Sequence, residues 1–195
     1  MVGVKVSIMQ ISWVISSEYK DDKATPEQLK AIGNTWGSWK TWRSYSTTNV
    51  LCANDEKARD LIKRAFHSVC NFYIPQKSYA ALGRPPGVQV FDGQFPGDFD
   101  NQEDIVAMHL VSKSDLVLLL GFNLAEVTDT DATIKHLKKS YQAAACAVIK
   151  NNPGAQWVVI DHLTDLDKIF STVENITCDT YESVLQLLGD IDLDT

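Results

Sequence analysis

Several patterns that would disclose chemistry directly are missing from this chain of 195 residues. There is no G-x-G-x-x-G turn to let a backbone approach a pyrophosphate, and no G-x-x-x-x-G-K-[ST] loop to cradle phosphates. The G-x-S-x-G elbow and the H-E-x-x-H zinc pair are absent as well. Cysteine is sparse. Cys52, Cys70, Cys146 and Cys178 stand no closer than eighteen residues apart, which excludes a C-x-x-C redox pair, a zinc knuckle and a compact disulfide framework. A reducing, cytoplasmic setting is the simplest expectation for such thiols. Positive charge is short: 18 Lys and Arg face 25 Asp and Glu, a net −7, so a whole-surface grip on nucleic acid or anionic lipid is disfavoured. No apolar run is long enough to span a bilayer, and no membrane partner is expected. The apolar start from Val6 to Ile15 is broken by Ser7, Gln10 and Ser12 and lacks a charged lead and a cleavage site. It reads as a strand and not as a signal peptide.

What is present is a core. Hydrophobic residues make up 45% and charged residues 22%, globular values that exclude a disordered or collagen-like chain. The organising stretch is Asp115-Leu116-Val117-Leu118-Leu119-Leu120-Gly121-Phe122-Asn123. Five aliphatic residues without a polar break describe a strand covered on both faces. Burying them contributes roughly 7–15 kcal/mol gross, against about 1–2 kcal/mol per residue for fixing the backbone. The strand therefore needs helices on both sides. Gln156 to Asp161, with Trp157, Val158, Val159 and Ile160, is a second run of this kind.

Shorter extended segments are expected at 4–11, 49–53, 71–74, 88–91 and 175–178. Thr25-Pro26-Glu27-Gln28 is a helix start, with Thr25 as cap, Pro26 at the first position and Gln28 closing a capping box. That helix should run to Trp36 or Trp42. Further helices are expected after Asn54 or Asp55, after Asn101, from Thr133 to Lys150, near 165–170 and from Tyr181 to Leu188. Strands alternate with helices. The expected fold is α/β, a three-layer sandwich with a mostly parallel sheet of five to six strands, Rossmann-like or flavodoxin-like. It forms one domain over residues 1–195, with an irregular insertion around 76–100.

In such sheets ligands lie beyond the carboxyl ends of the strands. That rule nominates Ser12 and Trp13, Asn54 and Asp55, Gln76 and Lys77, Gly121, Phe122 and Asn123, Asp161 and His162, and Asp179 and Thr180. Asp161 and His162 form the most chemical-looking pair, a carboxylate and an imidazole able to act as acid and base or to hold a ribose hydroxyl. The competing reading makes Asp161 a cap and His162 a solvated side chain. Gly121 either admits a ligand to the backbone or makes a tight turn. Trp36, Trp39 and Trp42, with Lys40 and Arg43 beside them, would share one face of a helix, as a packed stripe or as a stacking platform.

Asp92, Asp98, Asp100, Glu103 and Asp104 lack the spacing of an EF-hand, so loop solvation and capping account for them. His67, His109 and His136 have no partner at ligand spacing. No metal and no cofactor are expected.

The order DLVLLLGFN, a Thr- and Asp-bearing loop, a long helix and WVVIDH resembles nucleoside deoxyribosyltransferase-like and other small α/β nucleotide-processing folds. The resemblance is one of fold and covers about the last 90 residues. It implies a nucleotide- or nucleoside-binding domain acting on an N-glycosidic bond. That family carries its nucleophilic Glu in the helix after such a strand, in a D-x-G-T-x-x-E type motif. Here Thr133 to Lys150 contains no Glu or Asp, so no catalytic residue is carried over. The alternative is a non-catalytic interaction or assembly module, homo-oligomeric in one form, with aromatic and Arg anchors.

Overall fold

The computed structural model describes residues 9–20, 23–92, 102–122, 124, 127–160 and 174–189. Its frame is one sheet of eight strands, all parallel, in the order β5-β4-β3-β2-β1-β6-β7-β8. The strands are β1 (Ile11–Ile15), β2 (Asn34–Ser38), β3 (Asn49–Leu51), β4 (Asn71–Pro75), β5 (Gln89–Phe91), β6 (Leu116–Leu120), β7 (Gln156–Ile160) and β8 (Ile176–Asp179). The helices are α1 (Pro26–Ile32), α2 (Trp39–Tyr45), α3 (Asp55–Lys63), α4 (Gln76–Ala81), α5 (Gln102–Val111), α6 (Ala132–Asn151) and α7 (Tyr181–Gly189).

The two greasy runs are strands and neighbours: Val117 pairs with Trp157 and Leu119 with Val159. β1 lies on the other side of β6, with Trp13 beside Leu118. Both faces of this centre are covered, as the unbroken runs require. One face carries Trp13, Ile15, Leu118 and Leu120 under Leu29 of α1 and Tyr181, Val184 and Leu188 of α7. Further out on that face, Val50, Phe72 and Ile74 pack against Ala58 and Leu61 of α3, with Trp39 and Trp42 of α2. The opposite face carries Val14, Leu51, Val117, Leu119, Trp157 and Val159 under α5 and α6. Successive strands step outward from β1 in one direction to β5, then from β6 to β8 in the other. Right-handed crossovers therefore send the earlier helices to one face and α5 and α6 to the other.

The sheet is wider than the five to six strands expected, and one source of the difference is a strand that forms where a helix was expected. The helix begun by Thr25 ends at Ile32. Its capping box is formed, with Gln28 N donating to Thr25 Oγ1 at 3.3 Å and Thr25 N donating to Gln28 Oε1 at 3.0 Å. At Gly33 the chain passes so close to β1 that a Cβ would stand 2.5 Å from the Ile11 carbonyl oxygen. It then becomes β2, which takes Trp36 off any helix. The first strand is also displaced. Residues 1–8 lie outside the described residues, and β1 occupies 11–15 where 4–11 was expected. Within the insertion expected around 76–100, the described part contains α4 and the edge strand β5, paired with β4. The stretch 165–170 lies outside the described residues. No described helix is long and apolar enough to cross a membrane.

Candidate functional site

The strand order reverses between β1 and β6. Their carboxyl ends therefore flank the crevice where an open α/β sheet binds its ligand. The loop leaving β1 is Ser16-Ser17-Glu18-Tyr19, and the loop leaving β6 starts Gly121-Phe122. Ser16 extends the ladder, donating its N–H to the Leu120 carbonyl at 2.9 Å. Its hydroxyl accepts from Glu18 N at 3.2 Å and donates to Asp104 Oδ2 at 2.8 Å.

Asp104 is the unusual residue of this edge. It stands in the first turn of α5 and is fully buried. The Ser17 backbone N–H also serves its carboxylate, while Oδ1 has no hydrogen-bond partner. Burial pushes the carboxyl up to about 8; Ser16 opposes the shift, Glu103 adds to it, and Glu18 adds a little more. Tyr141 of α6 has its phenol raised well above 10, chiefly by burial and then by the charges of Asp104 and Glu18. Asp104 of α5 and the Tyr141 phenol of α6 thus meet beneath the loop leaving β1, which carries the exposed Glu18.

One residue earlier, Glu103 serves a different space. Its Oε1 accepts from Ala53 N at 3.2 Å, at the end of β3. It lines a cavity of about 510 Å3 together with Trp39, Lys40, Asn54, Glu56, Lys57 and Asp60. Lys57 Nζ stands 4.5 Å from the Trp39 ring centre, and the Arg43 guanidinium carbon 5.1 Å from it.

The residues nominated from sequence are dispersed relative to this edge. Ser12 and Trp13 lie inside β1, upstream of its carboxyl end. Ser12 Oγ pairs with Ser114 Oγ at 2.8 Å, and Trp13 is fully buried in the core. The four-residue displacement of the strand moves the loop positions to Ser16–Tyr19. Asn54 caps α3, accepting from Lys57 N at 2.8 Å, and lines the cavity. Asp55 accepts a short hydrogen bond from Ser78 of α4 and ties the two helices together. Gly121 has φ +76, and its open side is filled by the chain itself. A Cβ there would stand 2.4 Å from Tyr19 Cβ. Phe122 is buried against Tyr141, ring centres 6.3 Å apart. Asn123, Asp161 and His162 lie outside the described residues. Gln76 and Lys77 open α4 on the far side of β4. Asp179 and Thr180 cap α7 beyond the edge strand: Asp179 Oδ1 accepts from Thr180 N and Thr180 Oγ1 from Ser183 N.

The expectation that Trp36, Trp39 and Trp42 share a helix face is corrected. Trp36 belongs to β2 and packs on Tyr73, centres 5.2 Å apart. Trp42 meets Phe66 edge-on at 4.7 Å. Trp39 alone reaches the cavity. Asp104, expected as a cap or a solvated loop residue, is the deepest carboxylate described. Its signal lay in the spacing. Asp104, Met108 and Val111 are one and two turns apart, so the charge sits on the apolar stripe of α5. Among the described residues no His, Cys, Asp and Glu cluster could hold a metal ion. No protein-family model, curated protein or solved structure matches the chain.

Proposed function

We propose that this chain binds a nucleoside or small nucleotide at the crevice between β1 and β6, and acts on its N-glycosidic bond. The observation that supports it is the character of the crevice. Where a dinucleotide domain has a glycine-rich loop and a helix start facing a pyrophosphate, this chain has Glu18 after β1 and Asp104 beneath it. The Glu18 carboxylate opposes a phosphate, and a protonated Asp104 offers it no counter-charge. They suit a hydroxyl-rich sugar, whose O–H groups donate to them, and a transition state that gathers positive charge at the anomeric carbon. Asp104 carries its proton near neutral pH. In this reading it hands that proton to the departing base nitrogen as the C1′–N bond breaks. Water then adds at C1′ and returns a proton to the carboxylate. Glu18 and the Tyr141 hydroxyl steady the sugar.

The test has two parts. A thermal-shift panel of nucleosides, nucleotides and sugar phosphates should show stabilisation by nucleosides, about 2.7 kcal/mol at one hundred times the dissociation constant. Chromatography should show free base released by the wild type and none by Asp104→Asn. A silent panel would defeat the reading. The interaction-module alternative draws on exposed indoles, and two of the three are engaged in packing within the chain.

A further inference from the structure

We propose that residues 17–20, in the loop leaving β1, form a hinged lid over the β1–β6 crevice, latched by Tyr19 on Gly121, and that a nucleoside reaches Asp104 only while this lid is lifted. The identity of the guest rests on the proposed function; the lid itself rests on contacts within the chain. Three observations carry it.

The first is the depth of Asp104. A carboxyl with no solvent exposure cannot hand a proton to a substrate from where it stands. Its cover on the crevice side is the start of this loop. The Ser16 hydroxyl donates to Asp104 Oδ2 at 2.8 Å, and the Ser17 N–H serves the same carboxyl. That cover has to move before the acid can act.

The second is the latch. Gly121 follows β6 with φ +76, and the room left by its missing Cβ is taken by the Cβ of Tyr19. The Tyr19 ring rests on the Tyr45 ring of α2, centres 5.3 Å apart. A positive-φ glycine at a strand end opens the backbone to a guest. Here Tyr19 fills that opening, so a guest and Tyr19 compete for one space.

The third is the hinge. Ser16 belongs to the sheet, with its N–H on the Leu120 carbonyl at 2.9 Å. Beyond it the chain folds back on Ser16. Glu18 N donates to Ser16 Oγ at 3.2 Å, and Tyr19 N to the Ser16 carbonyl at 3.1 Å. A closed turn rooted at one ladder residue swings as a unit, its rotation absorbed by a few backbone torsions. Glu18 and Lys20 are exposed, and Ser17 and Tyr19 are half-buried, so the wholly buried core stays in place when the turn lifts. Ser17 lies between hinge and latch. Lifting Tyr19 therefore also withdraws the Ser17 amide from Asp104.

Three measurements on wild type, Ser16→Ala and Tyr19→Ala test the lid. They are hydrogen exchange read residue by residue by NMR, carbodiimide labelling of carboxyl groups read by mass spectrometry, and stopped-flow binding of 2-aminopurine riboside, a fluorescent nucleoside. In wild type the Ser17 and Tyr19 amides should exchange roughly a hundredfold faster than those of Leu118 and Leu119, with no response to low urea, the mark of local opening. Each variant should speed the loop amides about tenfold more than the strand amides, and labelling of Asp104 should quicken in step. Ser16→Ala keeps the ring and removes the hydroxyl, so a poorly folded Tyr19→Ala does not decide the matter. Riboside association should level off with concentration in wild type, at the rate of lid opening, and Tyr19→Ala should raise that ceiling about tenfold. Loop amides that exchange only with global unfolding, or Asp104 labelling unaltered in both variants, would overturn the lid; nucleoside binding and base release in that case would leave the proposed function standing. Riboside association that stays linear and ignores Tyr19→Ala would show that the loop gates nothing. Local opening coupled to Asp104 labelling, with no nucleoside bound by any variant, would uphold the lid and overturn the nucleoside as its guest.

Discussion

Asp104→Asn should make the folded protein more stable at neutral and mildly alkaline pH, and the gain should grow with pH. The carboxyl is fully buried, and its folded value of about 8 lies above the ordinary 3.8. Between those two values the unfolded chain has released the proton and the folded chain retains it. The folded state then binds more protons, so stability falls as pH rises through the window. Below about pH 4 both states are protonated and nothing is lost. Above about pH 8 both are ionised and the loss is complete. Each pH unit is worth about 1.4 kcal/mol, so a window of about four units amounts to between about 5 and 6 kcal/mol.

Asparagine keeps the shape and an acceptor for Ser16 but cannot ionise. Its amide N–H groups meet an environment in which Oδ1 now has no partner, which costs about 1–3 kcal/mol at every pH. The variant should therefore match or trail the wild type near pH 4.5. At pH 8 it should exceed the wild type by about 2–4 kcal/mol. Urea denaturation of both proteins at pH 4.5, 6, 7 and 8 measures the difference, and subtraction removes every other titrating group. Parallel curves would refute the raised carboxyl. If the same substitution also abolishes nucleoside binding, the site trades stability for function, as a strained active site does. Joint loss of stability and binding at pH 8 would mean that Asp104 is a structural residue only.

Gly121→Ala should cost about 2–4 kcal/mol, because the new Cβ would meet Tyr19 at 2.4 Å and the φ of +76 disfavours a side chain; a loss under 1 kcal/mol in urea unfolding would show that Tyr19 can yield. Trp39 and Trp42 are both half-buried against the same cluster, so Trp39→Ala and Trp42→Ala should each cost about 1–3 kcal/mol, with Trp42, edge-on to Phe66, the more costly; an unchanged melting temperature for Trp42→Ala would contradict that packing. The thiols should react in order of exposure with an aromatic disulfide reagent. Cys178 is exposed and should react first; Cys70, half-buried and pushed up to about 11 by burial, should follow slowly; Cys52, fully buried and pushed up to about 12, should wait for unfolding. Rapid modification of Cys52 in the native protein would break that order.

The layer architecture was legible in the sequence because it is local chemistry repeated. Leu116–Leu120 and Gln156–Ile160 are runs that only a doubly covered strand can hold. Thr25-Pro26 with Gln28 marks a helix start whatever the rest of the chain does. Such signals depend on neighbours a few residues away, so one chain suffices to read them. The edge strands and β2 were less legible, since three to five residues around Gly33 and Gly37 carry little periodicity. The helix-like spacing of Trp36, Trp39 and Trp42 masked the break.

Only the tertiary structure decided which strand ends face one another and which carboxyl is buried. The strand order put the reversal between β1 and β6. Asp104 became a buried, proton-holding carboxyl because residues far away in sequence, Ser16 and Tyr141, close over it. Residue type and spacing set what a side chain can do. Desolvation and partners set what it does, and both are supplied by segments that meet only when the sheet is assembled.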